Sequence, residues 1–516
     1  MLAVACVPFL RLPFLEKTLS FRVAFFICKK KEPQQSSIDL SNPTKMAQWC
    51  AANLRNCEGW KSSGLELSTT SDECSRMFDA SLRQIVSWAD CEVLGGLRHT
   101  MVAMFEADPA AVMPRALSLG LNGLGTEKVA RANAEFRQEL ENLEKDAAEY
   151  GNPREQKHAK AVALWGRGYH RAAADLWNEI LEHHHNDLLA VKFAHDAHFF
   201  MGDCKGKRDS VQKVIGKWNS SEPCYSFLHG MLAFGLEECE EYENAEKEAN
   251  KALELNRFDC WATHAKAHVM EMNGRYEEGI NFMLSTEEDW KQGWIIAAHN
   301  YWHTSLFYIE KSDYESALAI YDKEVAHRYN RTHSLLDMVD AASLLWRLEL
   351  EGVDVGKERW QKVENLGVHV DQHSIVFNDV HMGPALFRQG EEETEQKLYD
   401  SLISYANTTE EDNAKISART GLPLYEGMLA FARKNYDEAA KKLIPIRRNV
   451  YEIGGSHAQR DIFTQTLIQS CILAGDESLW KMTPQLLRER NDMKSPSPLA
   501  ERLAQKFRAH HPISPI

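Results

Sequence analysis

Histidines at helical spacing are the side chains of this sequence whose types and positions could support chemistry. His264, His268 and Glu271 follow one another at intervals of four and three residues, so on a helix they form one narrow stripe. His299 and His303 repeat the four-residue interval further along the chain. Two such His-x-x-x-His pairs on adjacent helices supply four imidazoles, a ligand set that suits a divalent metal ion.

Three interpretations of these histidines stay open. In the first, they are hydrogen-bonded residues of a polar groove with no bound cofactor. In the second, they form a pocket with Glu271 and Trp302 that recognises the polar terminus of a partner. In the third, the four imidazoles hold a metal ion. Helical His-x-x-x-His pairs are common by chance, and no His-Glu-x-x-His motif accompanies them. The sequence therefore favours the first interpretation and predicts no cofactor.

Signatures of catalysis are missing from the sequence. It contains no Gly-x-Ser-x-Gly motif, no phosphate-binding loop and no dinucleotide fingerprint, and the glycine-rich residues 120–125 lack the Gly-Lys-Ser/Thr of such a loop. An enzyme is therefore the less favoured class. A metal- or small-ligand-binding protein that uses the histidines is the alternative to a pure interaction protein.

A short phrase that recurs three times shows which elements must position the histidines. It occupies residues 241–245, 275–279 and 313–317, and its tyrosines, Tyr242, Tyr276 and Tyr314, are 34 and 38 residues apart. A repeat of that length is too short for a domain and suits one helix–turn–helix unit. No alternating period-two segment is present, so the chain is predicted to be all-α.

The phrase has a simple physical meaning. A Gly, Asn or Asp makes the tight turn between two antiparallel helices, the tyrosine fills the gap beside the turn, and a small residue three positions later lets the helices approach. Ala252 follows Ala245 by seven residues and lies on the same helical face. One hairpin cannot bury that face alone, but stacked hairpins can. The sequence therefore predicts a superhelical solenoid of α-α hairpins.

The phrase resembles the tetratricopeptide repeat. The copies around Tyr242, Tyr276 and Tyr314 match it well, and the copy around Tyr436 also fits, although Asn256-Arg257 stands where the repeat usually has Asn-Pro. In this repeat, the residues that line the concave groove lie at set positions before the turn tyrosine. The resemblance therefore implies which side chains face the groove.

Counting back from Tyr276 and Tyr314 reaches both histidine pairs, and counting back from Glu392, which takes the place of a tyrosine, reaches His381 at the same depth. The resemblance implies that these side chains converge on the concave surface, where they would contact a ligand. The predicted groove-binding residues are His264, His268, Glu271, His299, Trp302, His303, Asp379 and His381.

A closer resemblance covers nearly all of the chain from Met46 onward. Over that length the sequence is similar to the tetratricopeptide repeat protein 38 family, which is named for its architecture, and the resemblance implies no activity. The segments that carry it are residues 67–71, 299–303, 378–381, 421–424 and 454–461.

The chain of 516 residues is longer than one hydrophobic core can organise, and four regions are predicted. Residues 1–45 are basic, and three interpretations fit them: a transit peptide, a short signal or anchor, or a non-native extension. Because the resemblance begins near Met46, we favour a non-native extension. We expect this segment to be disordered. Residues 46–150 form a helical cap. Residues 151–492 form the repeats, clearest at 226–259, 260–294 and 298–331, and residues 493–516 form a capping helix and tail.

Net charge limits the classes of partner that the protein can bind, and the cysteine content indicates its compartment. The formal net charge is −15, which repels phosphate backbones and argues against nucleic-acid and polybasic membrane contacts. Eleven cysteines show no pairing pattern, as expected in a reducing compartment such as the cytoplasm. The sequence therefore predicts a cytoplasmic interaction scaffold that binds a basic or neutral peptide or partner segment in its concave groove.

Overall fold

Residues 47–512 are described by a computed structural model, in which they form helices joined by loops with no β-strand among them. The predicted extension 1–45 and the last residues of the predicted tail lie outside this range. The predicted fold class is confirmed: the chain is an all-α solenoid of helical hairpins of the tetratricopeptide type. No described helix combines the length and apolar character needed to cross a membrane.

Five helices precede the hairpins, in the region predicted as a cap. The second of them begins where the Ser71 hydroxyl accepts a hydrogen bond from the Cys74 N–H, and ends at Trp88 in the left-handed conformation, a helix stop that satisfies the last carbonyls. The five are α1 (Cys57–Ser62), α2 (Asp72–Ser87), α3 (Gly96–Ala107), α4 (Val112–Leu124) and α5 (Ala134–Tyr150).

The first five hairpins run from residue 153 to residue 332. The fifth continues through a π-helical segment at Tyr321–Val325. Their helices are α6 (Pro153–Gly166) with α7 (His170–His183), α8 (Leu188–Phe200) with α9 (Cys204–Ile215), α10 (Tyr225–Glu237) with α11 (Tyr242–Leu255), α12 (Cys260–Met272) with α13 (Tyr276–Ser285) and the short α14 (Glu287–Trp290), and α15 (Ile295–Lys311) with α16 (Tyr314–Ile320) and α17 (Ala326–Thr332).

Four more hairpins and a terminal helix complete the described chain. The helices are α18 (Leu335–Leu350) with α19 (Lys357–Gln361), α20 (Val376–Gln389) with α21 (Glu392–Thr408), α22 (Asp412–Ile416) and α23 (Leu422–Ala432) with α24 (Tyr436–Ile446), α25 (His457–Leu473) with α26 (Glu477–Trp480) and α27 (Thr483–Met493), and finally α28 (Pro498–His510).

One backbone feature recurs between the two helices of eight hairpins: a residue with positive φ. Glycine adopts this conformation without steric cost, and other residues do so at some cost. The turn tyrosines Tyr242, Tyr276, Tyr314 and Tyr436 each begin the second helix of a hairpin, two residues after the positive-φ residue. The positive-φ residues are Gly168, Gly202, Glu240, Gly274, Ser312, Gly352, Gly390 and Lys434.

The first helices of successive hairpins pack side by side along the inner face, from α10 through α12, α15, α18 and α20 to α23. The superhelix then closes on itself, because α25 also packs against α12 and α18, and α28 packs against α15. The carbonyl oxygen of Gly168 accepts a hydrogen bond from the Asp412 N–H at 3.0 Å, which joins the first hairpin to the eighth.

The cap helices cover the same interior. The Trp294 N–H donates to the carbonyl oxygen of Trp88 at 3.0 Å, and the Asn378 amide donates to the Thr126 hydroxyl at 3.0 Å. The concave side of the solenoid is therefore largely covered, with a partly open cavity between the cap and the inner helices. This differs from the open groove that the repeat pattern alone predicts, because later hairpins and the cap both pack against it.

The packing of the second hairpin against the loop after the eighth can be tested at Gly202. This residue has a φ of +65°, and a methyl group on its Cα would collide with the carbonyl oxygen of Tyr451 in the eighth hairpin's exit loop. We expect Gly202→Ala to destabilise the fold by about 2 kcal/mol or more, since it combines left-handed strain with a backbone clash.

Gly216 is the matched control, because no neighbouring atom lies within 4 Å of the position that its added methyl group would take. Thermal unfolding measured by circular dichroism should show a lower midpoint for Gly202→Ala and no decrease for Gly216→Ala. Equal midpoints for the two variants would mean that the hairpins do not close in this way.

Candidate functional site

The two histidine pairs lie on neighbouring inner helices. His264 and His268 belong to α12, which begins at Cys260 and is capped by Asp259, and His299 and His303 belong to α15. Because α12 and α15 pack directly against each other, the pairs face one another. The ring centroids of His264 and His268 are 4.4 Å apart, and those of His268 and His303 are 4.3 Å apart. The predicted convergence of these four side chains is observed.

The ring nitrogen atoms point toward a common centre. Each of the four histidines offers one nitrogen, and these atoms all lie within 4.8 Å of one another. The Nε2 atoms of His264 and His268 are 2.9 Å apart. The Nε2 atom of His303 is buried and has no hydrogen-bond partner among the described residues.

In two of the rings, those of His303 and His299, a carboxylate accepts a hydrogen bond from Nδ1. Nδ1 of His303 donates to Oε2 of Glu271 at 3.0 Å, and Nδ1 of His299 donates to the carboxylate of Asp340 at 2.9 Å. A hydrogen bond of this kind fixes the tautomer, so that Nε2 carries the free lone pair in each of these two rings.

Burial favours the neutral form of His264, His268 and His303 by lowering the pKa of each. Burial lowers the pKa of His264 and of His268 well below the ordinary value, and the neighbouring imidazoles lower both further. Burial also lowers the pKa of His303, although the Glu271 carboxylate partly opposes this. A neutral imidazole has a free lone pair on one nitrogen, which is the form that ligates a metal.

Glu271 remains ionised because it is paired. Burial alone would raise its pKa, but the Lys494 ammonium and His303 outweigh that effect and hold the pKa at about 2. Lys494 comes from the loop between α27 and α28, and its Nζ lies 3.3 Å from Glu271 and 3.2 Å from Glu310. The C-terminal region therefore helps to fix the histidine cluster.

Trp302 is a packing residue of this cluster. Its indole ring stacks on His299 with a centroid distance of 4.9 Å and an angle of 11°, and its Nε1 donates to the Ser343 hydroxyl at 2.9 Å. The ring is fully buried. It orients His299 and presents no surface to a partner.

Asp379 and His381 do not join the four histidines. Both lie on α20, where the Asp379 carboxylate accepts a hydrogen bond from His373 at 3.1 Å. His381 donates to the carbonyl oxygen of Phe377 at 2.7 Å and packs against the ring of Phe463. Each is satisfied locally, and their predicted role in ligand binding is untested.

Burial limits what can reach the predicted groove residues. The side chain of His299 is 13 % exposed, and the other seven predicted residues are at most 4 % exposed. The cause is the closure of the superhelix, which covers the inner helices. These side chains therefore offer little surface to a polypeptide segment in this conformation, and the space beside them has the size of a small molecule.

A cavity of about 170 Å³ lies beside the cluster, and His264 and His299 form part of its wall. Most of the other lining is aromatic or aliphatic and comes from the cap and from distant hairpins. No local sequence pattern links these segments, so the sequence does not predict the cavity. The aromatic lining residues are Trp88, Phe199, Phe200, Phe234, Trp261, Trp294 and Phe377.

A few charged groups interrupt the apolar wall. Lys192 pairs with Asp196 at 2.7 Å, and its ammonium lies 4.5 Å from the centroid of the Trp88 ring, a cation–π contact. Burial, together with the nearby Asp337 carboxylate, raises the pKa of Glu127 to about 8. At neutral pH this end of the cavity therefore carries a neutral carboxyl group.

The fold and the site define a class: a helical-repeat solenoid of the tetratricopeptide type that contains a cavity beside a histidine cluster. No protein-family model matches the chain.

Two solved structures are similar over most of their length. They are a monomeric mutant of IFIT1 with Gppp-AAAA (12 % identity, 89 % of this chain and 98 % of that chain, TM-score 0.36) and yeast Tom70 (12 % identity, 88 % and 91 %, TM-score 0.31). Likeness at these scores carries no argument about function.

The bridge between Lys494 and the cluster can be tested. In Lys494→Met, Glu271 and Glu310 lose their shared buried counter-charge, and we expect a destabilisation of about 3–5 kcal/mol. The control is Lys481→Met, which removes an exposed pair with Glu477 and should cost at most about 1 kcal/mol.

The midpoints of thermal unfolding report both changes. A Lys494→Met midpoint that matches the Lys481→Met midpoint would show that the two buried carboxylates do not depend on this ammonium.

Proposed function

We propose that the protein is a helical-repeat binding protein whose ligand is a small molecule held in the central cavity. The observation that carries this proposal is the cavity itself, a partly open space with a largely aromatic and aliphatic wall and a smaller polar share. Ligand sites in proteins have this composition, since apolar walls provide affinity and a few placed polar groups provide orientation.

The dimensions of the cavity restrict the ligand. An apolar cavity of about 150 Å³ accommodates benzene, so the space of about 170 Å³ found here suits a compound built on one ring or a short aliphatic chain. Its apolar body would lie against rings such as Trp88 and Trp261. A polar substituent would meet the imidazole of His299 or the carboxylate of Asp340, which both line the cavity.

A protein-interaction scaffold is the second candidate, and one observation favours it. Several aromatic residues of the cavity wall, including Trp88, Phe199 and Trp261, are only partly buried, so a partner could insert one apolar side chain between them. Such a partner would anchor through that side chain and would contact the outer surface with the remainder. A peptide in an open concave groove needs a more accessible inner face.

Two further elements belong to the same proposal. We assign the chain to the tetratricopeptide repeat protein 38 family on the resemblance of the segments quoted above. We place it in the cytoplasm, in support of which the nine described cysteines are all free thiols, as a reducing compartment would keep them. We also propose that it does not bind nucleic acid or membranes, in keeping with its negative charge.

Filling the cavity tests the first candidate. Leu336 lines the cavity and is partly buried, whereas Leu284 is 50 % exposed on the outer surface. Indole, used as a probe, should raise the midpoint of thermal unfolding of the wild type and of Leu284→Trp, because a ligand that binds only the folded state stabilises it. It should not raise the midpoint of Leu336→Trp, in which the added ring occupies the space.

Two outcomes of the indole experiment would contradict the small-molecule proposal. If indole stabilises all three proteins equally, or stabilises none, the cavity is not a binding site for small apolar rings. A partner protein captured by the wild type and by Leu284→Trp, but not by Leu336→Trp, would then favour the anchored-side-chain candidate.

A further inference from the structure

Unpartnered nitrogen atoms in the histidine cluster point to a ligand that the protein side chains do not supply. Among the described residues, His303 Nε2, His264 Nδ1 and His268 Nδ1 are buried without a hydrogen-bond partner. Buried polar atoms in folded proteins are paired in the great majority of cases, because an unpaired one costs about 1–3 kcal/mol. His303 Nε2 is the most informative of the three, because Nδ1 of the same ring already donates to Glu271 and Nε2 is left with a free lone pair and no partner.

We propose that His264, His268, His299 and His303 form a binding site for one divalent first-row transition metal ion, zinc by preference. An ion at the common centre would accept the lone pair of each imidazole, including the orphaned Nε2 of His303. Without the ion, the Nε2 atoms of His264 and His268 share a hydrogen bond at 2.9 Å. Both would bind the ion, and the proton between them would move to the unpartnered Nδ1 of the donor ring.

The spacing of the nitrogen atoms fits a tetrahedral ion. Zinc–imidazole bonds of about 2.0–2.1 Å place ligand atoms about 3.4 Å apart on the edges of a tetrahedron. The four nitrogen atoms lie within 4.8 Å of one another, so small rotations of the rings bring them to that separation. No helix has to move, because the two His-x-x-x-His pairs already face each other across the α12–α15 contact.

The partners behind the rings match those of metal-bound histidines. A metal-ligating histidine almost always donates its other ring N–H to a carboxylate, a carbonyl or water. Here Glu271 accepts from His303 and Asp340 accepts from His299. Glu271 is in turn held by Lys494. Two of the four rings are therefore locked in the tautomer that directs Nε2 to the proposed ion.

The donor set selects the class of ion. Imidazole nitrogen suits Zn²⁺, Cu²⁺, Ni²⁺ and Fe²⁺, whereas Ca²⁺ and Mg²⁺ require oxygen ligands that this centre does not provide. Four neutral imidazoles leave the charge of a dication uncompensated. The carboxylates of Glu271 and Asp340 lie directly behind the ligands and supply negative charge at that position.

A second possible set of metal ligands includes one of these histidines. Glu237 and Glu238 also lie within 4.8 Å of His268. Glu238, however, already accepts a hydrogen bond from the His457 backbone N–H at 2.8 Å and pairs with Arg460 at 3.3 Å. The four-imidazole set has the orphaned atoms and the carboxylate partners, so it is the stronger site.

The proposed ion would lie at the wall of the cavity. His264 and His299 are both cavity-lining residues, and the side chain of His299 is 13 % exposed, whereas the His268 and His303 side chains are fully buried. Ions therefore have a route to the centre from the cavity side. The metal proposal does not rest on the small-molecule proposal, because the four ligands are complete without a compound in the cavity.

Metal analysis of the full chain, prepared without a polyhistidine tag, tests this proposal. After loading with Zn²⁺ and removal of excess ion with a weak chelator, we expect one equivalent of zinc per chain. Co²⁺ loaded in the same way should give the intense visible absorption of a tetrahedral site. His303→Gln and His299→Gln should each lose both signals, and His299→Gln carries the smaller risk of misfolding because its side chain is the least buried of the four.

Two controls separate this site from other histidines. His381→Gln alters a buried histidine outside the cluster and should keep one equivalent of zinc. Replacement of the surface histidines at 183–185 by Ala should also keep it. The proposal is overturned if the 183–185 variant loses the ion, if the folded cluster variants retain it, or if the wild type binds none.

The outer carboxylates give a finer test that keeps all four imidazoles. Glu271→Gln and Asp340→Asn should each weaken zinc binding by about 10–100-fold, as loss of such a partner does at known metal sites. X-ray absorption should still show four nitrogen ligands in both variants. Unchanged zinc affinity in both folded variants would contradict the assigned role of these carboxylates. Because indole binding is a separate measurement, the zinc and cavity proposals fail independently.

Discussion

Packing of later hairpins against the inner helices of earlier ones is the constraint on which the rest of the structure depends. A single row of hairpins leaves its inner face open to solvent, and polar residues there need no partner within the protein. Here α25 and α28 return to α12, α15 and α18, so the polar residues of those helices are buried. Burial requires each charge to be paired, and pairs such as Glu271 with Lys494 join residues more than 200 positions apart.

The same constraint explains why the histidines are neutral and why they are grouped. An isolated buried imidazole can find a backbone carbonyl, as His381 does with Phe377. Among the described residues, none of the four clustered imidazoles bonds a backbone carbonyl. They contact one another and three carboxyl groups, those of Glu271, Asp340 and Glu237. A cluster that gains so few hydrogen bonds is a costly element of a core unless a ligand completes it.

The sequence predicts the part of this structure that depends on local geometry. The spacing of the turn tyrosines predicts the hairpins, and the intervals within α12 and α15 place four histidines on facing stripes. The enclosure of the inner face and the cavity could not be predicted in this way, since they depend on contacts such as that of Trp88 with Trp294. Asp379 and His381 show the limit of the repeat register: it gives the depth of a residue in the superhelix but not which neighbours it meets.

Helix α15 connects the two proposed functions of the interior. His299 on this helix faces the cavity and, through Asp340, contacts α18, while His303 lies one turn further on and reaches Glu271 on α12. A compound that contacts His299 would therefore act on one ligand of the proposed ion, and an ion would fix the orientation of that ring toward the compound. If both proposed sites are occupied, any coupling through this shared side chain would be reciprocal: an ion that changes the affinity for the compound would have its own affinity changed by the same factor. The position of His299 thus makes the cavity and the histidine cluster parts of one site.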